Sequence, residues 1–399
     1  MASSDILIVG GGLVGASLAL ALQAGAAQRG WRLHLVEPVE PGGAFQPSYD
    51  ARASALSYGT RQLYERLGLW ASIARRAEPI RRIHVSERGR FAATRLDAAD
   101  EGVPALGYVV ENAWIGQCLW QALDRDVVHL HCPGEVTAVA AGNDGYRLTL
   151  ADGGMLEGGL VVLADGGRSG LREQLGIAVE RRGYGQSALI ANVTPGRPHQ
   201  GEAFERFTEE GPLALLPMAE DRCALVWTRQ DERIAALAEL PDKAFLDALQ
   251  EAFGYRLGAF RQVGARHVYP LALVRVQEQV RRGLVVLGNA AHSLHPIAGQ
   301  GYNLSLRDAL ALADTLLASE AAPGDPATLQ RYYRLQQPDQ ALTVGFSDRL
   351  VRLFGHRSRL LGLGRELGLA ALDLAPPAKH HFARQAMGLG LRGHSDALS

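Results

Sequence analysis

DILIVGGGLVGASLALALQAGAAQRGWRLHLVE, residues 5–37, decides the fold. Asp5–Gly10 is a short apolar run of the length of a buried strand. Gly10-Gly11-Gly12-Leu13-Val14-Gly15 follows as a GxGxxG, and an alanine- and leucine-rich helix then runs to about Gln28. Arg32–Glu37 is a second apolar strand, so the chain opens with a βαβ unit. The first glycine permits the tight turn, the second lets backbone approach a pyrophosphate, and the third lets helix and strand pack closely. The helix N-terminus offers free N–H groups and a partial positive charge to phosphates. Glu37 lies 22 residues past Gly15, where a carboxylate can accept hydrogen bonds from a ribose diol. On its own this motif does not separate FAD from NAD.

Two further glycine-rich loops follow strand-like runs. Ala164-Asp165-Gly166-Gly167-Arg168-Ser169-Gly170-Leu171-Arg172 succeeds the strand Leu160–Leu163. Taken alone it is also what a surface Asp-Gly turn looks like. Gly288-Asn289-Ala290-Ala291-His292-Ser293-Leu294-His295-Pro296 succeeds Leu284–Leu287 and continues through Gly299-Gln300-Gly301 to a helix from about Asn303. Such a helix start can stabilise the negative N1–C2=O edge of a reduced isoalloxazine.

In this order and at these intervals the three motifs resemble the group A flavoprotein aromatic hydroxylases, the family of para-hydroxybenzoate hydroxylase. The segments ARASALS (51–57), EAFERFTEEGPLALLPM (202–218), CALVWT (223–228) and GNAAHSLHPIAGQGYNLSLRD (288–308) bring the chain closer to the ubiquinone-biosynthesis hydroxylases. The resemblance covers nearly the whole chain. It implies an α/β protein: a Rossmann-like FAD-binding domain interleaved with an antiparallel-sheet substrate domain, and a helical C-terminus. It implies that Gly10, Gly12, Leu13, Val14, Gly15 and Glu37 hold the ADP half of FAD, and that Arg52 reaches the cofactor. It further implies that Asn112 and Gln117 offer polar side chains to the flavin, and that Asp165 faces the phosphate region. Gly288, Asn289, Pro296, Gly299, Gln300 and Gly301 then fall around the ribityl chain and the ring. The wider family has Gly-Asp where this chain has Gly288-Asn289; Asn can still bond the ribityl chain, without charge.

The resemblance implies FAD as cofactor and NADPH or NADH as reductant. It also implies O₂ activation as a C4a-hydroperoxyflavin and, as substrate, a polyprenylated phenol, 2-polyprenyl-6-methoxyphenol, hydroxylated to the benzoquinol. No catalytic base can be named from the sequence, and no second GxGxxG marks a separate nucleotide domain. Three alternatives stay open: a hydroxylase of another ring position, another enzyme on this fold (a flavin halogenase or prenyl reductase), and a non-catalytic FAD-holding subunit. The WxWxIP signature of tryptophan-type halogenases is absent.

Composition sets the outer bounds. At 399 residues the chain can hold two interleaved domains. The expected FAD-binding parts are 1–75, 98–175 and 265–345, the substrate parts 76–97 and 176–264, and the C-terminal helical region 346–399. A net charge of −1 gives no footprint for nucleic acid. Three scattered cysteines fit a reducing cytoplasm. No apolar run reaches the ~18 residues of a membrane span. His292 and His295 are at HxxH spacing, but no carboxylate or cysteine nearby in sequence completes a metal site. Apolar positions from Val344 to Leu372 recur near helical spacing. They read either as packing against the body or as a surface for pathway enzymes or the edge of the inner membrane.

Overall fold

The computed structural model describes residues 4–39, 52–90, 93–142, 144–294, 299–355 and 375–389. Its body is a six-stranded sheet. Ile6–Val9 lies at the centre between Leu33–Val36 and Leu160–Leu163. Val128–His131 flanks the former and Leu284–Val286 the latter, these five all parallel, and the two-residue Val280–Arg281 pairs antiparallel with Leu284–Val286 at the edge. A parallel sheet must be covered on both faces, and the period of two along Ile6–Val9 shows how. Ile6 and Ile8 join Leu18, Leu22, Leu306 and Leu310 beneath the helices Leu13–Arg29 and Gln300–Leu317. Leu7 and Val9 turn the other way and pack with Val139 and Leu148 of a small sheet formed by Val136–Ala141, Tyr146–Leu150 and Met155–Gly158.

A second, nine-stranded sheet is built on the long strand Val179–Thr194, which pairs with Arg222–Gln230 on one side and His267–Val276 on the other. Beyond Arg222–Gln230 come Gly211–Met218, Glu202–Thr208, Arg82–Glu87 and Ala93–Asp97. Alternation again sorts the faces. Leu189, Ala191, Leu213, Leu215, Leu225 and Trp227 are buried under the helices Asp231–Ala238 and Asp242–Phe253. This sheet runs past residue 264, where the sequence suggests a boundary. His267–Val276 pairs with Val179–Ile190, and even His292–Ser293 pairs with its far end. Sheet membership here is decided by a partner about 90 residues upstream, which local patterning cannot display.

A small sheet of Ala53–Ser57, Gly107–Glu111 and Glu78–Ile80 lies between the two large ones. At the C-terminal side, the helix Pro326–Gly355 crosses the expected boundary at 346 without a break. The helix Pro376–Ala386 packs back on the body: Ala383 and Met387 lie against Leu96 and Leu106. Phe346 meets Phe382 with ring centres 5.9 Å apart. Leu360 and Leu367 lie outside the described residues. Among the described residues no helix is long and apolar enough to cross a membrane.

Candidate functional site

Register brings the three glycine-rich loops to one edge. Val9 is level with Val36 and with Leu163, and Leu163 is level with Val286. The loops that follow therefore leave the C-terminal edge of the sheet side by side, where ligands bind in open α/β sheets. The first two loops touch: a Cβ on Gly10 (φ +101°) would lie 2.6 Å from the Ala164 carbonyl oxygen. The first and third touch as well: a Cβ on Gly288 (φ +63°) would meet both methyls of Val14 at 3.3 Å. Gly10 has no room for a side chain, a side chain at Gly288 would push on Val14, and neither backbone suits one.

Side chains from the motifs, together with Trp120, lock these loops together. Glu37 is buried and accepts from the Gly11 N–H at 2.7 Å, so its carboxylate also fixes the loop whose ligand it is expected to share. The indole N–H of Trp120 donates to the Gly11 carbonyl at 2.9 Å. Arg172 is buried and ties the second loop to the third, donating to the Gly167 carbonyl at 3.0 Å and the Ala290 carbonyl at 2.7 Å. Asp165 accepts from the backbone N–H groups of Gly167 (3.0 Å) and Ser169 (2.9 Å) and thus folds its own loop. Asn289 is exposed on the third loop.

The middle sheet brings in the remaining expected residues. Asn112 donates its backbone N–H to the Arg52 carbonyl, and its side-chain oxygen accepts from the Ser54 hydroxyl at 2.6 Å. Gln117 is exposed on the helix Asn112–Gln121. The Arg52 guanidinium lies 4.8 Å from the centre of the Tyr269 ring, linking the middle sheet to the nine-stranded one. Gly299 caps the helix Gln300–Leu317, and its α-carbon approaches Ala55: a Cβ there would be 3.1 Å from the Ala55 methyl. Asn303 secures this contact by donating to the carbonyls of Ala55 and Gly299 and accepting from the Ser57 N–H. Gln300 is buried and donates to the Ala386 carbonyl at 3.1 Å, anchoring the C-terminal helix. Pro296 and His295 lie outside the described residues.

Two helix N-termini suit a dinucleotide with a negative flavin edge. Neither Leu13–Arg29 nor Gln300–Leu317 has a side-chain cap or an acidic residue in its first turn. A helix start without an acidic first turn favours an anion through its N-terminal partial positive charge. The nine-stranded sheet supplies a wall. Opposite its buried face, the half-buried residues Ile190, Ala214, Leu216 and Val226 form an apolar surface. Its lower end, Leu216 and Ala224, packs with Ala53 and Ala55 beside Gly299.

The FAD binding domain family matches residues 3–346. The chain belongs to this family. It is an FAD-dependent monooxygenase of the aromatic hydroxylase type. Ubiquinone hydroxylase UbiL of Rhodospirillum rubrum is 39% identical, over 96% of this chain and 90% of its own length. The 3-demethoxyubiquinol 3-hydroxylase of Escherichia coli is 34% identical, over 97% and 99%. PqsL of Pseudomonas aeruginosa, solved with 2-aminobenzoylacetate, shares the fold with a TM-score of 0.75 at 24% identity, over 90% of this chain and 99% of its own.

One buried pair in this family member serves the third loop. His292 Nε2 lies 2.7 Å from Asp308 Oδ2, and Gln340 Nε2 donates to the same oxygen at 2.9 Å. Burial raises the Asp308 carboxyl above its usual range, and the bonds from His292 and Gln340 oppose that rise. The pair holds the short strand His292–Ser293 against the helix Gln300–Leu317. His292 is therefore a clamp on the loop and faces Asp308. Trp120 carries no sequence signature, and the motif segments that end on Arg172 and Asp308 do not show what these two side chains bond. A sequence offers their residue types, and only the fold supplies the partners.

Proposed function

We propose that this protein hydroxylates a polyprenylated phenol of ubiquinone biosynthesis, and that the substrate is 2-polyprenyl-6-methoxyphenol, with the new oxygen entering para to the existing hydroxyl. The apolar wall Ile190–Ala214–Leu216–Val226 beside Gly299 carries this reading. An isoprenoid tail needs such a surface, and water must be kept from the reacting ring. The names of the Rhodospirillum and Escherichia relatives support the pathway. The para carbon of this phenol is activated by the oxygen opposite and is free to react.

When bound, FAD would supply the redox chemistry that passes electrons from NAD(P)H to O₂ and puts one oxygen atom on an electron-rich ring carbon. The chain's own residues position and protect. The N-terminus of Leu13–Arg29, with Gly10, Gly12 and Glu37, takes the ADP half. Arg52, Asn112, Asn289 and the Gly299–Gly301 turn take the ribityl and ring half, and the wall orients the phenol. Deleting the gene in its host and extracting the lipids tests the assignment. Aerobic accumulation of the methoxyphenol, reversed by complementation, is expected. Accumulation of a polyprenylphenol without the methoxy group would move the protein to an earlier hydroxylation. Normal quinone in aerobic cells would remove it from the pathway.

A further inference from the structure

Glu205 occupies an unusual place on the apolar wall. Across the sheet it is level with Ala214, which is level with Val226, which is level with Ile190. Of these four residues Glu205 alone is ionisable; beyond Ile190 the row ends on the exposed His267 at the far side of the sheet. The adjacent row, Phe204–Leu215–Leu225–Ala191, is buried on the helix side. Glu205 therefore points to the flavin-domain side, as does Ala203 two residues earlier, which packs with Leu216, Ala53 and Ala55. The neighbouring Arg206 points away, bonding the Ala252 carbonyl and the Ser86 hydroxyl.

Among the described residues Glu205 accepts no hydrogen bond and meets no cation. It keeps some accessible surface while burial alone lifts its carboxyl to about 7. That combination describes a side chain lining a recess. An isolated carboxylate in apolar surroundings destabilises a fold, and such groups concentrate where chemistry uses them.

We propose that Glu205 is the general base that takes the phenolic proton of the substrate. The phenol O–H bond breaks, the proton passes to a Glu205 carboxylate oxygen, and the electron pair stays on the phenolic oxygen. That charge enriches the para carbon just as it receives oxygen. The ring then loses its para proton and regains aromaticity. The O–O bond breaks, and the second oxygen atom leaves as water with the two electrons that NAD(P)H supplies through FAD, so the base changes no oxidation state. A carboxyl poised near neutrality is matched to this task. The inference rests on the phenol hydroxylation proposed above.

The test compares wild type, Glu205→Gln and Glu205→Asp, each loaded with FAD. Substrates are a short-chain 2-prenyl-6-methoxyphenol and a ring-fluorinated analogue that is already ionised at the assay pH. Retained FAD with an unchanged absorbance spectrum shows that each variant is folded. Wild-type kcat/KM for the ordinary phenol should rise with pH through neutrality. Glu205→Gln should abolish that rise, lower kcat by about 10²-fold and divert NAD(P)H oxidation to H₂O₂. Glu205→Asp should keep the rise at a reduced rate. The fluorinated phenol should restore Glu205→Gln at least about tenfold, because an ionised phenol needs no base. A full rate in Glu205→Gln overturns the proposal, as does a loss that the fluorinated phenol does not recover. No product from the wild type would defeat the substrate assignment and the base with it. Product from the wild type and a full rate in Glu205→Gln would defeat the base alone.

Discussion

Replacing Glu205 with Gln should stabilise the protein in a pH-dependent way while slowing it. Burial lifts this carboxyl from 4.5 to about 7. Between those values the folded chain keeps a proton that the unfolded chain has lost. The wild type therefore loses stability through this group as pH rises through the interval, and the whole cost is present above about pH 7. At about 1.4 kcal/mol per pH unit, that cost reaches about 3 kcal/mol. Gln has the same size and never ionises, so the variant escapes it. The advantage of Glu205→Gln over wild type should grow by about 2.5 kcal/mol between about pH 5 and pH 8.5. Urea unfolding of both proteins at each pH, followed by circular dichroism, measures the difference. The cost of placing the Gln amide in the recess is the same at both pH values and cancels. A gap that does not change with pH, or that shrinks on going alkaline, would refute the reasoning. Opposite effects on stability and rate are what a carboxylate kept for function should give.

Three further outcomes are expected. Gly10→Ala forces a Cβ to 2.6 Å from the Ala164 carbonyl at φ +101°, so the protein should fold yet purify with much less FAD, read from flavin absorbance per protein. Asn289→Asp should keep FAD and activity within about tenfold if, as proposed, this exposed residue only bonds the ribityl chain, because either side chain can accept that bond; a loss of several orders of magnitude in turnover would show that charge matters there. His34 lies 3.0 Å from His131 through their ring nitrogens, and burial with the neighbouring His131 and His129 lowers its pKa to about 4. The folded chain thus resists a proton that the unfolded chain accepts from pH ~6.5 downward, so stability falls as pH drops through that window, and His34→Leu should flatten this acid limb in unfolding titrations.

The opening strand, loop and helix were legible because their signals are local: an apolar run, a glycine at each turn, and a helical stretch of small residues. The same holds for the strands before Ala164 and Gly288, and for the alternation that marks residues 187–228 as a half-covered sheet. Legibility stopped where a partner far along the chain decides. Trp120 reads as one more apolar position on a helix, and only the fold puts its N–H on Gly11. Arg172 reads as the end of a motif, while its work is to bridge to Ala290. His267–Val276 carries no label saying which sheet it joins. EAFERFT shows Glu205 in a strand, but the face it takes depends on its register with Ala214. A one-residue slip would turn that carboxylate to the helices and leave the wall without a base.

The central claim is that this chain uses FAD to place one oxygen atom of O₂ on a prenylated methoxyphenol. The most direct test is to incubate the FAD-loaded protein with NADPH, ¹⁸O₂ and a short-chain 2-prenyl-6-methoxyphenol, and to analyse the product by mass spectrometry and NMR. The expected product is the benzoquinol with a single ¹⁸O at the carbon para to the original hydroxyl, formed in proportion to NADPH consumed. NADPH oxidation that yields only H₂O₂ and returns the phenol unchanged, or a product whose new oxygen comes from water, would contradict it.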